Sequence, residues 1–195
     1  MRQVIAMRAI PGSGKSIFAK QLVAKAQAEN KTAIICSADD FFIELGKGKY
    51  QFDPSKIADA HKYCFRKFIK AIQDEINLII VDNTNLSAWE LSPYKTYAEA
   101  QDYDFIINEV KASPDLAFKR QEHGVSLAAH QSMAESLEKE FIPPWWEKEN
   151  IVSKTSETGE PIFEKEEINP KNAFSTNVNK ILKLSGVFYK LAIKS

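Results

Sequence analysis

An α/β fold with a mostly parallel sheet flanked by helices is what the sequence predicts, and three observations predict it. Apolar, β-rich runs recur at Val4 to Met7, Thr32 to Cys36 and Leu78 to Val81, as in strands buried on both faces, and a fourth strand follows at Asp104 to Val110. Stretches of helical periodicity separate them, so strand and helix alternate in the manner of βαβ crossovers. The first strand also runs into a glycine-rich turn, Pro11-Gly-Ser-Gly-Lys-Ser16, placed where the first helix must begin.

That turn carries the chemistry. A triphosphate is held best by backbone N–H groups, which can converge only where side chains are absent, as at Gly12 and Gly14. Lys15 then offers a cation to the β- and γ-phosphates, and Ser16 a hydroxyl to Mg²⁺. The helix expected from about Ser16 to Glu29 sets Phe18, Leu22 and Ala26 on one face and adds the positive end of its dipole. The full phosphate-loop pattern begins with a glycine four residues before Ser13, and Ala9 stands there instead. A methyl group is tolerated at that point if φ is negative and strained if it is positive. The competing reading is an ordinary glycine turn.

The next strand delivers Asp39 and Asp40 to the carboxyl edge of the sheet, where open α/β sheets place their sites. Asp39 sits where a substrate hydroxyl would approach a γ-phosphate, which fits a proton acceptor; the alternative is that both aspartates cap a short helix through Leu45. A polar loop with Gly46 and Gly48 leads to a helix from Pro54 to about Asp74, with Ile57, His61, Cys64, Phe65, Phe68 and Ile72 inward. Its other side carries Lys62, Arg66 and Lys70, read first as a solvated face and second as a nucleic-acid contact. Asp82 ends the third apolar strand, an expensive place for a carboxylate unless Mg²⁺ or Lys15 matches its charge. A helix from Ala88 to Ala100, a strand from Asp104 to Val110, a helix from Ser113 to Arg120 and another from Ser126 to Phe141 follow, with a kink at His123 and Gly124. Beyond Trp145 and Trp146 the character shifts: runs at 151–154 and 161–164 around Gly159 indicate a hairpin, and Val178, Ile181, Leu182, Phe188 and Leu191 an amphipathic terminal helix. The expected division is a core at 1–141, including a lid at about 114–141, and an extension at 142–195.

Composition bounds the partners. With 195 residues and 44% hydrophobic content the chain can build a sizeable core. Its 26 basic and 26 acidic residues cancel, so no global field advertises nucleic acid or membrane, and any such partner must be bound locally. Cys36 and Cys64 lie in apolar settings with no CxxC, as reduced core thiols do. The first strand starts almost at Met1, which leaves no room for a signal peptide, and no apolar run approaches the ~20 residues that span a bilayer. The expectation is a soluble, cytoplasmic protein that does not enter membranes.

With these residues in view, residues 2–140 resemble the small P-loop kinase-like ATPases similar to the kinase domain of polynucleotide 5′-hydroxyl kinases, including relatives found in ubiquitin-ligase-binding proteins. The resemblance rests on Arg8 with Pro11 to Ser16, Cys36 to Phe42, Tyr50 to Asp53, Ala60 with His61, Val81 to Asn85 with Trp89, and Arg120 to Val125. It implies a P-loop NTPase fold with a helical lid, and ATP- and Mg²⁺-dependent phosphoryl transfer to a hydroxyl, with the 5′ end of a nucleic acid as leading acceptor. Asp39 becomes the proton acceptor; Pro11, Gly12, Ser13, Gly14, Lys15, Ser16 and Ile17 the ATP loop; Ser16 and Asp82 the metal site; Arg120 the catalytic lid arginine. Ile17 stands where many relatives have threonine, and Phe42 occupies a region where some polynucleotide kinases carry a phosphate-gripping arginine. A small-molecule or nucleotide kinase, and a nucleotide-binding module with little turnover, are the two alternatives.

Overall fold

The computed structural model describes residues 2–166 apart from 122, 123 and 158. In chain order the elements are β1 (Gln3–Arg8), α1 (Lys15–Ala28), β2 (Ala33–Cys36), α2 (Asp39–Leu45), a short 3₁₀ turn (Pro54–Lys56), α3 (Ile57–Gln73), β3 (Leu78–Val81), α4 (Ala88–Glu99), β4 (Asp104–Lys111), α5 (Pro114–Arg120), α6 (Leu127–Lys139), β5 (Lys148–Thr155) and β6 (Pro161–Lys165). They form one six-stranded sheet in the order β2-β3-β1-β4-β5-β6. The first five strands are parallel and β6 is antiparallel. The expected α/β architecture is therefore the one observed.

Strand alternation sorts the core into two layers, because successive side chains point to opposite faces. Val4, Ala6, Ile79, Val81, Phe105 and Ile107 face α3 and α4, where Cys64, Phe68, Ile72, Leu91 and Tyr94 meet them. Ile5, Met7, Leu78, Ile80, Val110 and Ile151 face the other way, toward Ala19 and Ala26 of α1. β1 lies at the centre, with Ile5 level with Ile80 of β3 on one side and Ile106 of β4 on the other. The loop after β1 thus leaves the sheet between two flanking strands. Among the described residues no helix is long and apolar enough to cross a membrane.

Two expectations need revision. Ile57 and His61 are exposed, not inward: Ile57 precedes Ala60, the first buried position of α3, and His61 lies off the buried stripe of Ala60, Cys64, Phe68 and Ala71. The sheet also continues past Phe141: the hairpin is present as β5 and β6, and β5 pairs with β4 in parallel, Val110 level with Ile151. The compact unit accordingly runs on through β6 to Lys165. The expected terminal helix lies outside the described residues. Of the two tryptophans, Trp146 packs against the α3/α4 layer beneath Lys95, and Trp145 is exposed.

Candidate active site

Gly12 and Gly14 shape the loop after β1. Their φ angles of +77° and +92° belong to the left-handed region, which glycine enters without penalty. Both are also closely approached: a Cβ on Gly12 would stand 1.9 Å from the Ala117 carbonyl oxygen of α5, and one on Gly14 3.0 Å from the Phe163 ring of β6. Ile17 and Phe18 turn their N–H groups back to the Gly14 carbonyl. The N–H groups ahead of them, at Gly14, Lys15 and Ser16, are those a helix start cannot bond internally. Ser13 is fully buried, with its hydroxyl unpartnered among the described residues, and Ile17 is exposed at the first turn of α1.

Ala9 settles one sequence question. It is absent from the non-glycine residues with positive φ, its N–H donates to the Thr84 carbonyl at 3.0 Å, and its methyl is fully buried beside Met7 and Ala19. Alanine fits there without strain.

The segment after β3 aligns the carboxylates. Lys15 Nζ lies 3.4 Å from Asp82 Oδ1 and 3.4 Å from Ser16 Oγ. Asp82 is 6% exposed, and its Oδ1 accepts no hydrogen bond among the described residues. The Ser37 hydroxyl donates to the Asp82 carbonyl, the Ala38 N–H to Asn83 Oδ1, and Asn85 Nδ2 to the Met7 carbonyl. Asn85 does this from the left-handed region, φ 46°, which asparagine tolerates better than most residues. The ends of β1, β2 and β3 are thereby bonded into one rim. On it, Asp39 opens α2 without capping it, so the capping alternative does not describe its side chain. Tyr50 donates to Asp39 Oδ1 at 3.3 Å, and burial, followed by that carboxylate, pushes the Tyr50 phenol up to about 12. Asp40 is bound instead to Lys67 at 2.7 Å.

The lid side holds what the sequence did not announce. His130 of α6 is fully buried, edge-on to Phe118, and its Nε2 donates to the Pro11 carbonyl at 2.9 Å. Arg8, 1% exposed, pairs with Glu109 of β4 and donates to the carbonyls of Leu86 and Leu137, at 2.8 and 2.9 Å. Arg120 donates to Ser153 Oγ, the Lys154 carbonyl and Thr155 Oγ1, all on β5. Ser153 Oγ is in turn 3.4 Å from the Cβ position of Gly14, so α5, β5 and the loop converge. The stripe on α3 is partly neutralised: Lys62 pairs with Asp59 and Lys70 with Asp74 on the same helix.

This geometry defines a P-loop kinase-like domain. A family model described as an AAA domain (AAA_33) matches residues 4–138, and the chain belongs to that family. It is 36% identical over 127 residues to NEDD4-binding protein 2 of Homo sapiens, a match covering 63% of this chain and 7% of that protein's length. The fold is similar to a chain in the solved structure of the Pnkp1/Rnl/Hen1 RNA repair complex, with TM-score 0.56, 18% identity and coverage of 70% of this chain and 44% of that one. It is also similar to the APS kinase CysC of Mycobacterium tuberculosis, solved in complex with AMPPNP and APS: TM-score 0.54, 15% identity, 80% of this chain and 90% of that one.

Proposed function

We propose that this chain is an ATP-dependent phosphotransferase that passes the γ-phosphate to a hydroxyl, the 5′-hydroxyl of a nucleic acid being the acceptor. The observation that carries the reading is the placement of Lys15, Ser16 and Asp82 around one point, with Asp39 on the same rim. The buried Asp82 oxygen without a hydrogen bond fits a cation, as does the Ser16 hydroxyl beside Lys15. Ser16 and Asp82 would hold Mg²⁺, whose charge screens the phosphate oxygens during transfer.

The loop from Pro11 to Ile17 cradles the β- and γ-phosphates on its backbone N–H groups, and Lys15 adds charge that grows more useful as the phosphoryl group departs. Asp39 takes the proton of the acceptor hydroxyl, held in place by the Tyr50 hydroxyl. Arg120, on the helix that packs against Gly12, supplies a guanidinium to the transferring group. No charge relay beyond these groups is needed, since phosphoryl transfer is mostly positioning and electrostatics.

A small-molecule acceptor is the second reading, favoured by the balanced net charge and by the pairing of Lys62 and Lys70 on their own helix. Phosphate release from ATP, measured with and without a 5′-hydroxyl oligonucleotide, separates the readings. Label on the oligonucleotide supports the first, label only on metabolites the second, and no turnover at all leaves a nucleotide-binding module.

A further inference from the structure

We propose that Gly46 to Phe52 form an acceptor platform: the terminal base of a single-stranded nucleic acid stacks on Phe52 and Tyr50, while Lys47 and Lys49 lie along its phosphates. The inference rests on the phosphotransferase reading of the same site.

Two aromatic rings stay exposed beside the carboxylate that would take the acceptor proton. Phe52 is 53% and Tyr50 41% exposed. Both lean on Phe42, which is 3% exposed, with ring centroids 5.1 and 5.9 Å away. Phe42 thus spends its burial on supporting two rings that are themselves only about half covered. Tyr50 joins the platform to the chemistry, because its hydroxyl donates to Asp39.

The segment is built, not slack. The N–H groups of Gly46 and Gln51 both donate to the Phe42 carbonyl, and that of Gly48 to the Ile43 carbonyl. A Cβ on Gly46 would stand 1.8 Å from the Lys49 carbonyl oxygen, so the turn closes as tightly as glycine permits. Asp53 ends the segment by accepting from the N–H and hydroxyl of Ser55. A pre-ordered pair of rings loses little entropy on binding, which is where stacking surfaces gain their affinity.

Charge points the same way. Lys62, Lys67 and Lys70 of α3 are each ion-paired. Lys47 and Lys49 are exposed and form no ion pair among the described residues. Two cations followed by two rings within six residues, Lys47 to Phe52, match what a flexible single strand needs, phosphates to neutralise and bases to stack. A small polar metabolite would use neither.

The test is a mutant cycle between a ring and a base. The KM for phosphorylation of two 5′-hydroxyl oligonucleotides, identical except that one has an abasic first nucleotide, is measured for the wild type and for Phe52→Ala, with melting temperatures as a control. Phe52→Ala raises the KM of the intact oligonucleotide about 5- to 100-fold. Removing the base costs the wild type a similar factor and costs Phe52→Ala nothing further, while Phe52→Trp restores the intact value. Lys47→Glu and Lys49→Glu each reduce the slope of log affinity against log salt by about 0.7. Additive effects of ring and base, or an unchanged KM in Phe52→Ala, overturn the platform. If the wild type phosphorylates no hydroxyl, the phosphotransferase reading fails; anisotropy binding of the same two oligonucleotides, which needs no turnover, then decides the platform by the same cycle.

Discussion

Lys15 Nζ and Asp82 Oδ1 stand 3.4 Å apart at the mouth of the central strands, and the carboxylate oxygen has no hydrogen bond among the described residues. Each charge therefore depends on the other. Lys15→Ala should abolish ATP turnover and also destabilise the fold, by up to about 3–5 kcal/mol, because it strands a buried carboxylate. Asp82→Asn in the same chain should recover much of the melting temperature and none of the turnover. Millimolar Mg²⁺ should raise the melting temperature of Lys15→Ala more than that of the double variant, since only the former keeps the carboxylate. Equal responses to Mg²⁺ would remove Asp82 from the metal site.

Ala9→Gly should lower stability and leave ATP affinity unimproved. The position has no positive φ to relieve and a buried methyl to lose. Glycine costs about 0.5–1 kcal/mol in backbone entropy alone, or roughly 1–4 °C in melting temperature for a chain of this size. A tighter-binding variant would show that the loop is strained at Ala9.

Arg120 donates hydrogen bonds to Ser153, Lys154 and Thr155 of β5. Those neutral partners contribute about 1 kcal/mol each to stability, whereas a guanidinium on a transferring phosphoryl group is worth ~10³ to 10⁵ in rate. Arg120→Ala should cut turnover by at least about 10²-fold at saturating ATP, and Arg120→Lys should recover only part because the planar fork is lost. Turnover within about threefold of wild type, less than 1 kcal/mol of barrier, would take Arg120 off the catalytic list.

The buried Arg8 and Glu109 pair links β1, β4 and the end of α6, with Lys148 a further 3.2 Å from the same carboxylate. Glu109→Gln should destabilise by about 3–5 kcal/mol, seen as a fall of roughly 6–20 °C in melting temperature. A shift below about 2 °C would mean that the carbonyls of Leu86 and Leu137 suffice for Arg8.

Burial pushes the Cys36 thiol up to about 12 and raises that of Cys64 as well. A raised thiol keeps its proton in the folded chain while the unfolded chain ionises near 9, so its contribution to stability is intact below pH 9 and lost as pH climbs toward 12. Denaturant midpoints should fall over that window, by less in Cys36→Ala once its own packing cost is subtracted. Rapid native-state labelling of Cys36 by a thiol reagent at pH 8 would contradict the burial.

What the sequence made legible was local. β1, the glycine loop and α1 declared themselves because strand pattern, Gly12, Gly14 and Lys15 are contiguous, and Asp82 was recognisable as a charge at the end of an apolar strand. Residues whose partners are distant were not readable in role: Arg8 meets Glu109 across 101 positions and His130 meets Pro11 across 119. The hairpin was visible from its turn, but not the pairing of β5 with β4, which depends on tertiary placement. On α3, periodicity places Ile57 and His61 inward, but it cannot report where the helix first touches the sheet, which exposes Ile57, or that the buried stripe runs through Ala60 and Cys64 and leaves His61 outside. The stripe of Lys62 and Lys70, read first as a solvated face, carries its own partners, Asp59 on the same helix and Asp74 at its C-terminal cap.

The central claim is transfer of a phosphoryl group from ATP to a hydroxyl with Asp39 as proton acceptor. It is tested most directly by mass spectrometry of a 5′-hydroxyl oligonucleotide incubated with ATP, Mg²⁺ and either wild type or Asp39→Asn. One added phosphoryl group on the 5′ nucleotide with the wild type, and at least about 10²-fold less with Asp39→Asn at an unchanged melting temperature, is the expected result. An unmodified oligonucleotide with the wild type, or equal modification by both proteins, would contradict the account.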